Sequence, residues 1–203
     1  MKQSDFMKYK EILIVDGTSR ENGYTKKLLE FFRSNVNAEN IATFEAYKES
    51  FSFCDGCNFC ESNEHCKFKD LDAFMKDFEK ADLIVFTTPI YNGMMSAPMK
   101  ALIERLQPYY AYFYKHNKTQ KIEKRRSAII IASSGRDGEE ALQYIEAQYK
   151  YAFSITNIEF MGSALCNFTD TSANVAKAEK EIKNILERMD LQWRENLKSA
   201  VWF

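Results

Sequence analysis

The sequence is poor in the residues that break a chain into separate units. Its 203 residues include only seven glycines and three prolines, and no stretch rich in either residue divides the chain. There is also no internal repeat. A chain of this length without a linker is predicted to fold as one domain, which would span residues 1–203.

Long apolar runs and an excess of charge of one sign are missing as well. No run approaches the ~18 apolar residues that a membrane-spanning helix requires, and the segment 1–15 holds no apolar region typical of a signal peptide. The 28 basic and 29 acidic residues give a net charge of -1, which argues against the basic surface of a nucleic-acid-binding protein. We therefore expect a cytoplasmic protein with no membrane or nucleic-acid partner, in a compartment where thiols stay reduced.

Short apolar segments alternate with longer amphipathic ones along the whole chain. The apolar segments predict five strands, which begin near Glu11, Ile41, Leu83, Ser127 and Asn157. Helical spacing of apolar residues predicts helices at about 24–35, 71–80, from 97 onward, 139–152 and 174–198. This alternation favours an α/β fold in which a parallel sheet is covered by helices on both faces. Such sheets bind ligands at the carboxyl ends of their strands, so the loops there are the candidate site.

The loop after the first predicted strand has the composition of a phosphate site. Its segment DGTSRENGYTKKL carries the hydroxyls of Thr18, Ser19 and Thr25, and a helix is predicted to begin at Tyr24, directly after Gly23. Hydroxyls and the unpaired N–H groups of a helix N-terminus together bind phosphate. A plain helix cap made by Ser19 or Thr25 is the alternative. The loop lacks G-K-[ST] and G-x-G-x-x-G, which disfavours a nucleoside triphosphate or a dinucleotide.

Two further loops could hold the flat part of the same ligand. After the third predicted strand comes TTPIYNGMMSAPMK, in which Pro89 and Gly93 constrain the backbone and Tyr91 supplies an aromatic face. After the fourth comes SSGRDG, a small turn-forming loop. Three such loops at one sheet edge predict a planar, phosphorylated ligand, with the phosphate in the first loop and the ring between the other two.

These three segments resemble the flavin-binding segments of the flavodoxin-like NAD(P)H-dependent FMN reductase family. The resemblance runs in the expected order from Glu11 to about Ala164, and the middle segment is the most specific. It implies a flavodoxin-like, doubly wound sheet of five parallel strands in the order 2-1-3-4-5 with helices on both faces. It also implies FMN as the cofactor, NAD(P)H as a possible electron donor, and a homodimer or a dimer of dimers.

The resemblance names the residues expected at FMN. They are Thr18, Ser19, Arg20, Gly23, Tyr24, Thr25, Pro89, Ile90, Tyr91, Asn92, Gly93, Met94, Ser133, Ser134, Gly135 and Asp137. Because the cofactor carries the chemistry, no side-chain acid or base is demanded, and we predict no catalytic residue. The pair Glu104 and Arg105 resembles an acidic–arginine pair of the family and is expected to be structural.

Four of the five cysteines lie within thirteen residues, in a loop at about 52–68. Cys54, Cys57, Cys60 and Cys66 form a C-x2-C-x2-C-x5-C motif. Three closely spaced thiolates and a fourth nearby are typical of the ligands of one [4Fe–4S] cluster. Zinc is an alternative, although zinc sites usually pair two C-x2-C units across a long gap. A loop that holds no metal is a third possibility.

The cysteine motif resembles that of the iron-sulfur flavoproteins, a subfamily of the same family. The resemblance implies an electron-transfer flavoprotein that relays electrons between NAD(P)H or a ferredoxin-like partner and an acceptor, through FMN and the cluster. The alternative is a flavodoxin-like electron carrier or FMN-binding reductase whose cysteine loop holds zinc or no metal. We expect the four cysteines at the same sheet edge as the flavin loops, and Cys166 as a small buried apolar residue.

Overall fold

The computed structural model describes residues 8–200, without the side chains of residues 196–200. Its centre is a sheet of five parallel strands in the order β2-β1-β3-β4-β5. The strands are β1 (Lys8–Asp16), β2 (Asn37–Glu45), β3 (Leu83–Ile90), β4 (Arg126–Ser134) and β5 (Ile158–Cys166). The predicted flavodoxin-like order is confirmed, and it places the carboxyl ends of β1 and β3, which are adjacent but not consecutive, at the switch in strand order.

Helices cover both faces of this sheet, as predicted. They are α1 (Tyr24–Asn35), α2 (Phe59–Asn63), α3 (Asp72–Lys80), α4 (Ala97–Glu104), α5 (Gln107–Lys115), α6 (Glu139–Ile155) and α7 (Val175–Ala200). One apolar cluster joins α3, α4, α5 and α6 to one face, and a second joins α1 and α7 to the other. Within the described chain, no helix is long and apolar enough to cross a membrane.

The strands show why the apolar pattern predicts the sheet. Along β1, Leu13 and Val15 point to one cluster, whereas Ile12 and Ile14 point to the other. A central parallel strand is buried on both faces, and it is therefore nearly all apolar. Cys166 is fully buried in the α1 and α7 cluster, which confirms its predicted apolar role.

Several boundaries differ from the prediction, among them the starts of β1 and β2, the end of α6 and the helix from residue 97. Strand β2 begins at Asn37 rather than Ile41, because it is an edge strand whose first residues are polar and give no apolar signal. The helix predicted from residue 97 is two helices, since α4 ends at Glu104 and α5 starts at Gln107 with Pro108 in its first turn. Proline is favoured at this place because a first-turn N–H has no partner within the helix.

Candidate functional site

A cleft of about 940 Å³ opens at the carboxyl ends of β1, β3 and β4. This volume lies within the range of about 300–1,000 Å³ that is typical of small-molecule sites. The cleft brings together fourteen of the sixteen residues expected at FMN, all except Ser19 and Met94. It adds residues that the sequence analysis did not name, namely Asn22, Arg136, Ala141, Thr169 and Asp170.

The loop after β1 is fixed by the buried carboxylate of Asp16. Its Oδ1 atom accepts hydrogen bonds from the Thr87 hydroxyl at 2.8 Å and from the Thr18 N–H at 3.1 Å. Its Oδ2 atom lies 2.7 Å from Nζ of Lys26. Burial lowers the pKa of Lys26, but the hydrogen bond and charge of Asp16 outweigh it and raise that pKa overall. The lysine of the first turn of α1 is therefore paired with Asp16 and stays a cation there.

Gly17 lets this loop touch β3 and the start of α4. Its N–H donates to the Thr87 carbonyl at 2.9 Å, and its own carbonyl accepts from the Ser96 hydroxyl at 2.8 Å. A Cβ atom at Gly17 would overlap the Met99 side chain and lie 2.6 Å from the Thr87 carbonyl oxygen. The close approach excludes any larger residue, and it ties the first loop of the cleft to α4.

The N-terminus of α1 faces the cleft without a side-chain cap. The N-cap residue is Gly23, and no side chain bonds to the first-turn amides, so the alternative of a cap by Ser19 or Thr25 is wrong. Thr25 instead lies buried, with its hydroxyl 2.6 Å from that of Ser133. Uncapped amides and the positive end of the helix dipole are the elements of an anion site.

A tight turn follows β3 and forms one wall of the cleft. Tyr91 and Met94 pair through two backbone hydrogen bonds of 2.9 and 3.0 Å, with Asn92 and Gly93 between them at φ angles of 50° and 77°. Positive φ at both central residues defines a type I′ turn, in which glycine carries no steric penalty. Met94 closes this turn, whereas Tyr91, Asn92 and Gly93 line the cleft.

The opposite wall combines the loops after β4 and β5. The Thr169 N–H donates to the Ser134 carbonyl at 3.0 Å, and the Asp170 N–H donates to the Gly135 carbonyl at 3.3 Å. A Cβ atom at Gly135 would overlap the Asp170 carboxylate. Thr169 and Asp170 were not among the residues predicted for the site. The signal was available, because β5 lies beside β4 in a parallel sheet and its carboxyl end therefore lies at the same edge of the sheet as that of β4.

The charges of the cleft balance. Arg20 and Arg136 line it, but so do Asp137 and Asp170, and Lys26 is occupied by Asp16. An anion would therefore be held by directed groups, the α1 amides and the neighbouring hydroxyls, rather than by an excess of positive charge.

A second cavity of about 360 Å³ is lined by all four cysteines of the motif, Cys54, Cys57, Cys60 and Cys66. All four are free thiols. Burial raises the pKa of the Cys60 thiol, and the three neighbouring cysteines raise it further. Among the described side chains, no three His, Cys, Asp or Glu groups converge closely enough to hold a single metal ion.

The cysteine cavity lies beside the junction of α4 and α5. Glu104, Arg105, Gln107 and Pro108 complete its lining, and it shares no residue with the cleft. Helix α4 begins after Ser96, which bonds to Gly17 in the loop after β1, and its eight residues make it roughly 12 Å long. The cleft and the cysteine cavity thus have separate linings, and the expectation that the four cysteines lie at the same sheet edge as the flavin loops stays a prediction.

Arg105 holds the two ends of the cysteine loop together. Its side chain is 1% exposed. Its Nη1 atom donates to the Ser52 carbonyl at 2.6 Å, and its Nη2 atom donates to the Phe68 carbonyl at 3.2 Å and to Asp70 Oδ1 at 2.7 Å. Asp70 Oδ2 accepts the Ser52 N–H at 2.7 Å. We call Ser52, Asp70 and Arg105 the loop clasp, and it is the structural role expected for Arg105.

Comparison with known proteins agrees with this arrangement. Residues 11–163 match the family described as NADPH-dependent FMN reductase. An iron-sulfur flavoprotein of Methanocaldococcus jannaschii is 27% identical over 133 residues, which cover 64% of this chain and 66% of that protein. An iron-sulfur flavoprotein of Archaeoglobus fulgidus is 25% identical over 128 residues, which cover 62% of this chain and 56% of that protein. The chain thus matches less than two thirds of the length of either relative.

Solved structures show the same fold. The FMN-dependent NADH-azoreductase from Bacillus anthracis, solved in complex with FMN, is similar with a TM-score of 0.59 at 14% identity, over 89% of this chain and 99% of that one. An identity this low supports the fold and nothing finer. The match over residues 11–163 goes further. The chain belongs to the NADPH-dependent FMN reductase family, and iron-sulfur flavoproteins are among its relatives.

Proposed function

We propose that the protein is an FMN-dependent oxidoreductase that relays electrons between NAD(P)H, or a ferredoxin-like partner, and an acceptor. The relay uses FMN in the cleft and a [4Fe–4S] cluster in the cysteine cavity. The observation that carries the proposal is the presence, in one domain, of a flavin-sized cleft and a separate cavity lined by four thiols of one loop. When bound, FMN supplies two-electron chemistry and the cluster supplies one-electron exchange.

The residues of the cleft fit FMN. The uncapped amides of α1 and the hydroxyls of Thr18 and Thr25 suit a phosphate, which needs several directed donors. The turn at Asn92 and Gly93 and the loop at 133–137 both line the cleft, whose volume of about 940 Å³ is large enough for a flat ring. A Cβ atom built at Gly93 meets no protein atom within 4 Å, so the space beside this turn is free for a ligand.

The residues of the cysteine cavity fit a cluster better than a single ion. Zinc would need its four sulfurs at about 2.3 Å from one point, whereas the described side chains form no such group. The four irons of a cubane each take one thiolate at a different corner, so the ligands stand apart around a common volume. Four thiols of one short loop that line one cavity supply the number and type of ligand that such a cluster takes, which supports the proposal.

The protein itself binds, orients and separates the two groups. Helix α4 connects the loop after β1, through the bond from Ser96 to Gly17, with the cysteine cavity, which Arg105 lines. Phe53, next to Cys54, is 71% exposed and offers an apolar contact to a redox partner beside the cysteine loop. Five free thiols suit the reducing cytoplasm. A homodimer, as the family resemblance implies, is part of the proposal.

Anaerobic purification and reconstitution with iron and sulfide test the proposal. We expect one FMN and about four irons and four sulfides per chain, together with oxidation of NADH or NADPH. Replacing any of Cys54, Cys57, Cys60 or Cys66 by serine should remove the cluster and leave FMN bound. Cys166→Ala is the matched control, because Cys166 lies in the core outside the motif and its loss should spare both groups.

The flavin assignment and the cluster assignment can be contradicted separately. A protein that binds riboflavin as tightly as FMN, or neither, would contradict the flavin assignment. Zinc bound by the thiols, or no metal after reconstitution, would leave an FMN reductase with a structural cysteine loop. Intact one-electron transfer in the four serine variants would also exclude the cluster from the relay.

A further inference from the structure

The guanidinium of Arg105 is buried with part of its hydrogen-bonding capacity unused. It has five N–H groups, and three of them bond to the Ser52 carbonyl, the Phe68 carbonyl and Asp70. Its Nε atom is buried and has no hydrogen-bond partner. A buried donor without a partner has lost its bonds to water and gained none in return. The arginine borders the cysteine cavity, so an acceptor in that cavity would relieve this cost.

The candidate acceptor is sulfur. Burial lowers the pKa of Arg105, but Asp70 and then Cys66 raise it overall, and Asp55 and then Cys57 likewise raise the pKa of Lys67. Both cations line the cavity. Each is also paired with a carboxylate, Arg105 with Asp70 at 2.7 Å and Lys67 with Asp55 at 2.5 Å.

Two of the acidic groups that line the cavity are paired with lysines. Asp55 is paired with Lys67, and Glu104 is paired with Lys100 at 2.5 Å. Glu61 lines the cavity from α2. The positive groups that line the cavity together with the four thiols are therefore Arg105 and Lys67.

We propose that Arg105 and Lys67 are positioning residues that raise the reduction potential of the iron-sulfur group by donating to the sulfurs of Cys66 and Cys57. The inference rests on the proposed function. One-electron reduction adds a negative charge to the group. Hydrogen bonds and positive charge at its thiolates stabilise the more negative state, so they raise the potential. Removing either cation lowers it.

Arg105 has a second effect through the loop clasp. It bonds to Ser52 and Phe68, which flank the four cysteines in the sequence. The planar guanidinium therefore orients the loop and also supplies a positive charge. Lysine would keep the charge but could not reproduce two donor atoms in one plane. Charge and geometry can therefore be separated by substitution.

Redox titration of the anaerobically reconstituted full chain tests the inference, with the bound FMN as an internal reference. Arg105→Gln should shift the one-electron equilibrium of the cluster at least about tenfold toward the oxidised form, about 59 mV lower. Lys67→Met should shift it in the same direction by less, because the Lys67 side chain is 35% exposed. Arg105→Lys should give a smaller shift than Arg105→Gln. The potential of FMN should not move in any of them.

Arg126→Gln is the matched control. Arg126 is also buried, donates to the Phe78 and Thr156 carbonyls and has an unpartnered Nε, but it lines no cavity with a cysteine. It should lose stability and keep the wild-type cluster potential. If Arg105→Gln loses its iron altogether, the cluster potential of Lys67→Met tests the inference instead, because that variant leaves the loop clasp intact.

Unchanged cluster potentials in both Arg105→Gln and Lys67→Met would overturn the inference. Equal loss of iron in Arg105→Gln and Arg126→Gln, with no shift in Lys67→Met, would reduce Arg105 to a folding role and also overturn it. A wild-type chain that binds zinc or no metal would overturn the proposed function first, and this inference with it. That outcome is visible before any variant is made.

Discussion

The hydroxyl of Thr25 at the start of α1 lies 2.6 Å from the hydroxyl of Ser133 at the end of β4. Thr25 is buried, so this hydrogen bond is shielded from water. It joins two walls of the cleft that are 108 residues apart in the chain. One hydroxyl donates to the other, and the second proton of the pair is free to donate to a ligand.

Thr25→Val should therefore weaken FMN binding selectively. A hydrogen bond to a charged phosphate is worth about 1.5–3 kcal/mol, so the FMN dissociation constant should rise at least about tenfold. Riboflavin lacks the phosphate and should bind nearly as before, which fluorescence titration of both ligands can measure. Thr156→Val, at a buried threonine bonded to the Ala152 carbonyl, should lower stability without this selectivity. Equal losses for FMN and riboflavin would remove Thr25 from the phosphate site.

Gly93 and Gly56 form a matched pair, one in each cavity. Both have positive φ, 77° and 67°, and a Cβ atom at either meets nothing within 4 Å. Alanine should cost about 1–2 kcal/mol of stability at each because of the left-handed backbone. Beyond that shared cost, Gly93→Ala should weaken FMN binding and spare iron content, and Gly56→Ala should do the reverse. FMN and iron assays on the two variants would refute the separation of the sites if each variant lost both.

Gly17→Ala should damage the fold more than Gly23→Ala. At Gly17 the new methyl group would overlap the Met99 side chain and the Thr87 carbonyl, whereas at Gly23 its nearest contacts are at 3.2 Å. Forcing a methyl group into a packed interior costs about 1–3 kcal/mol, and urea unfolding can measure the difference. Similar unfolding free energies for the two variants would show that the Gly17 loop can move away from α4.

Asp82 should give the protein an acid-sensitive contact. Its Oδ2 accepts the N–H groups of Lys10 and Glu11 at 3.0 and 2.9 Å, and its Oδ1 is paired with Lys124 at 2.5 Å. Burial raises the pKa of Asp82, but Lys124 and the two amides outweigh it and lower that pKa below its usual 3.8. A lowered folded-state pKa means that the stabilisation is complete above the ordinary pKa and disappears as the pH falls below it.

At pH 7, Asp82→Asn should therefore lower the free energy of unfolding by roughly 1–2 kcal/mol. The difference from the wild type should shrink as the pH falls below about 4. Urea unfolding between pH 2.5 and pH 7 would show whether the two curves converge. Asp77→Asn, at an exposed position of α3, should leave stability nearly unchanged throughout. Parallel curves for Asp82→Asn and the wild type would contradict the assignment.

The sequence predicts most of the sheet because β1, β3 and β4 are buried on both faces and are therefore nearly all apolar. It misplaces the start of β2, where an edge strand with polar residues carries no such signal. The three cleft loops were predictable from their hydroxyls, glycines and aromatic residue. The sheet predicts the edge at which Asp170 lies but not its exact place, which depends on backbone bonds from Thr169 to Ser134 and from Asp170 to Gly135.

The position of the cysteine loop also depends on contacts that no local pattern contains. Arg105 reaches Ser52 and Phe68 across 53 and 37 residues of chain. The adjacent Glu104 does not indicate these contacts, because it is exposed and pairs with Lys100 on its own helix. The motif indicated what the thiols could bind, but only the packing of α4 against the loop shows which cations stand beside them.

The loop clasp has a consequence for how such a protein can be altered. Since Ser52 and Asp70 bond directly to each other, the segment between them leaves the domain and returns to it at one point. Closing a segment costs conformational entropy that grows only slowly with the number of residues, so a change in its length should cost the fold little. A short turn in place of the segment would keep this closure but lose the contacts of Glu64 with His116 and Lys121.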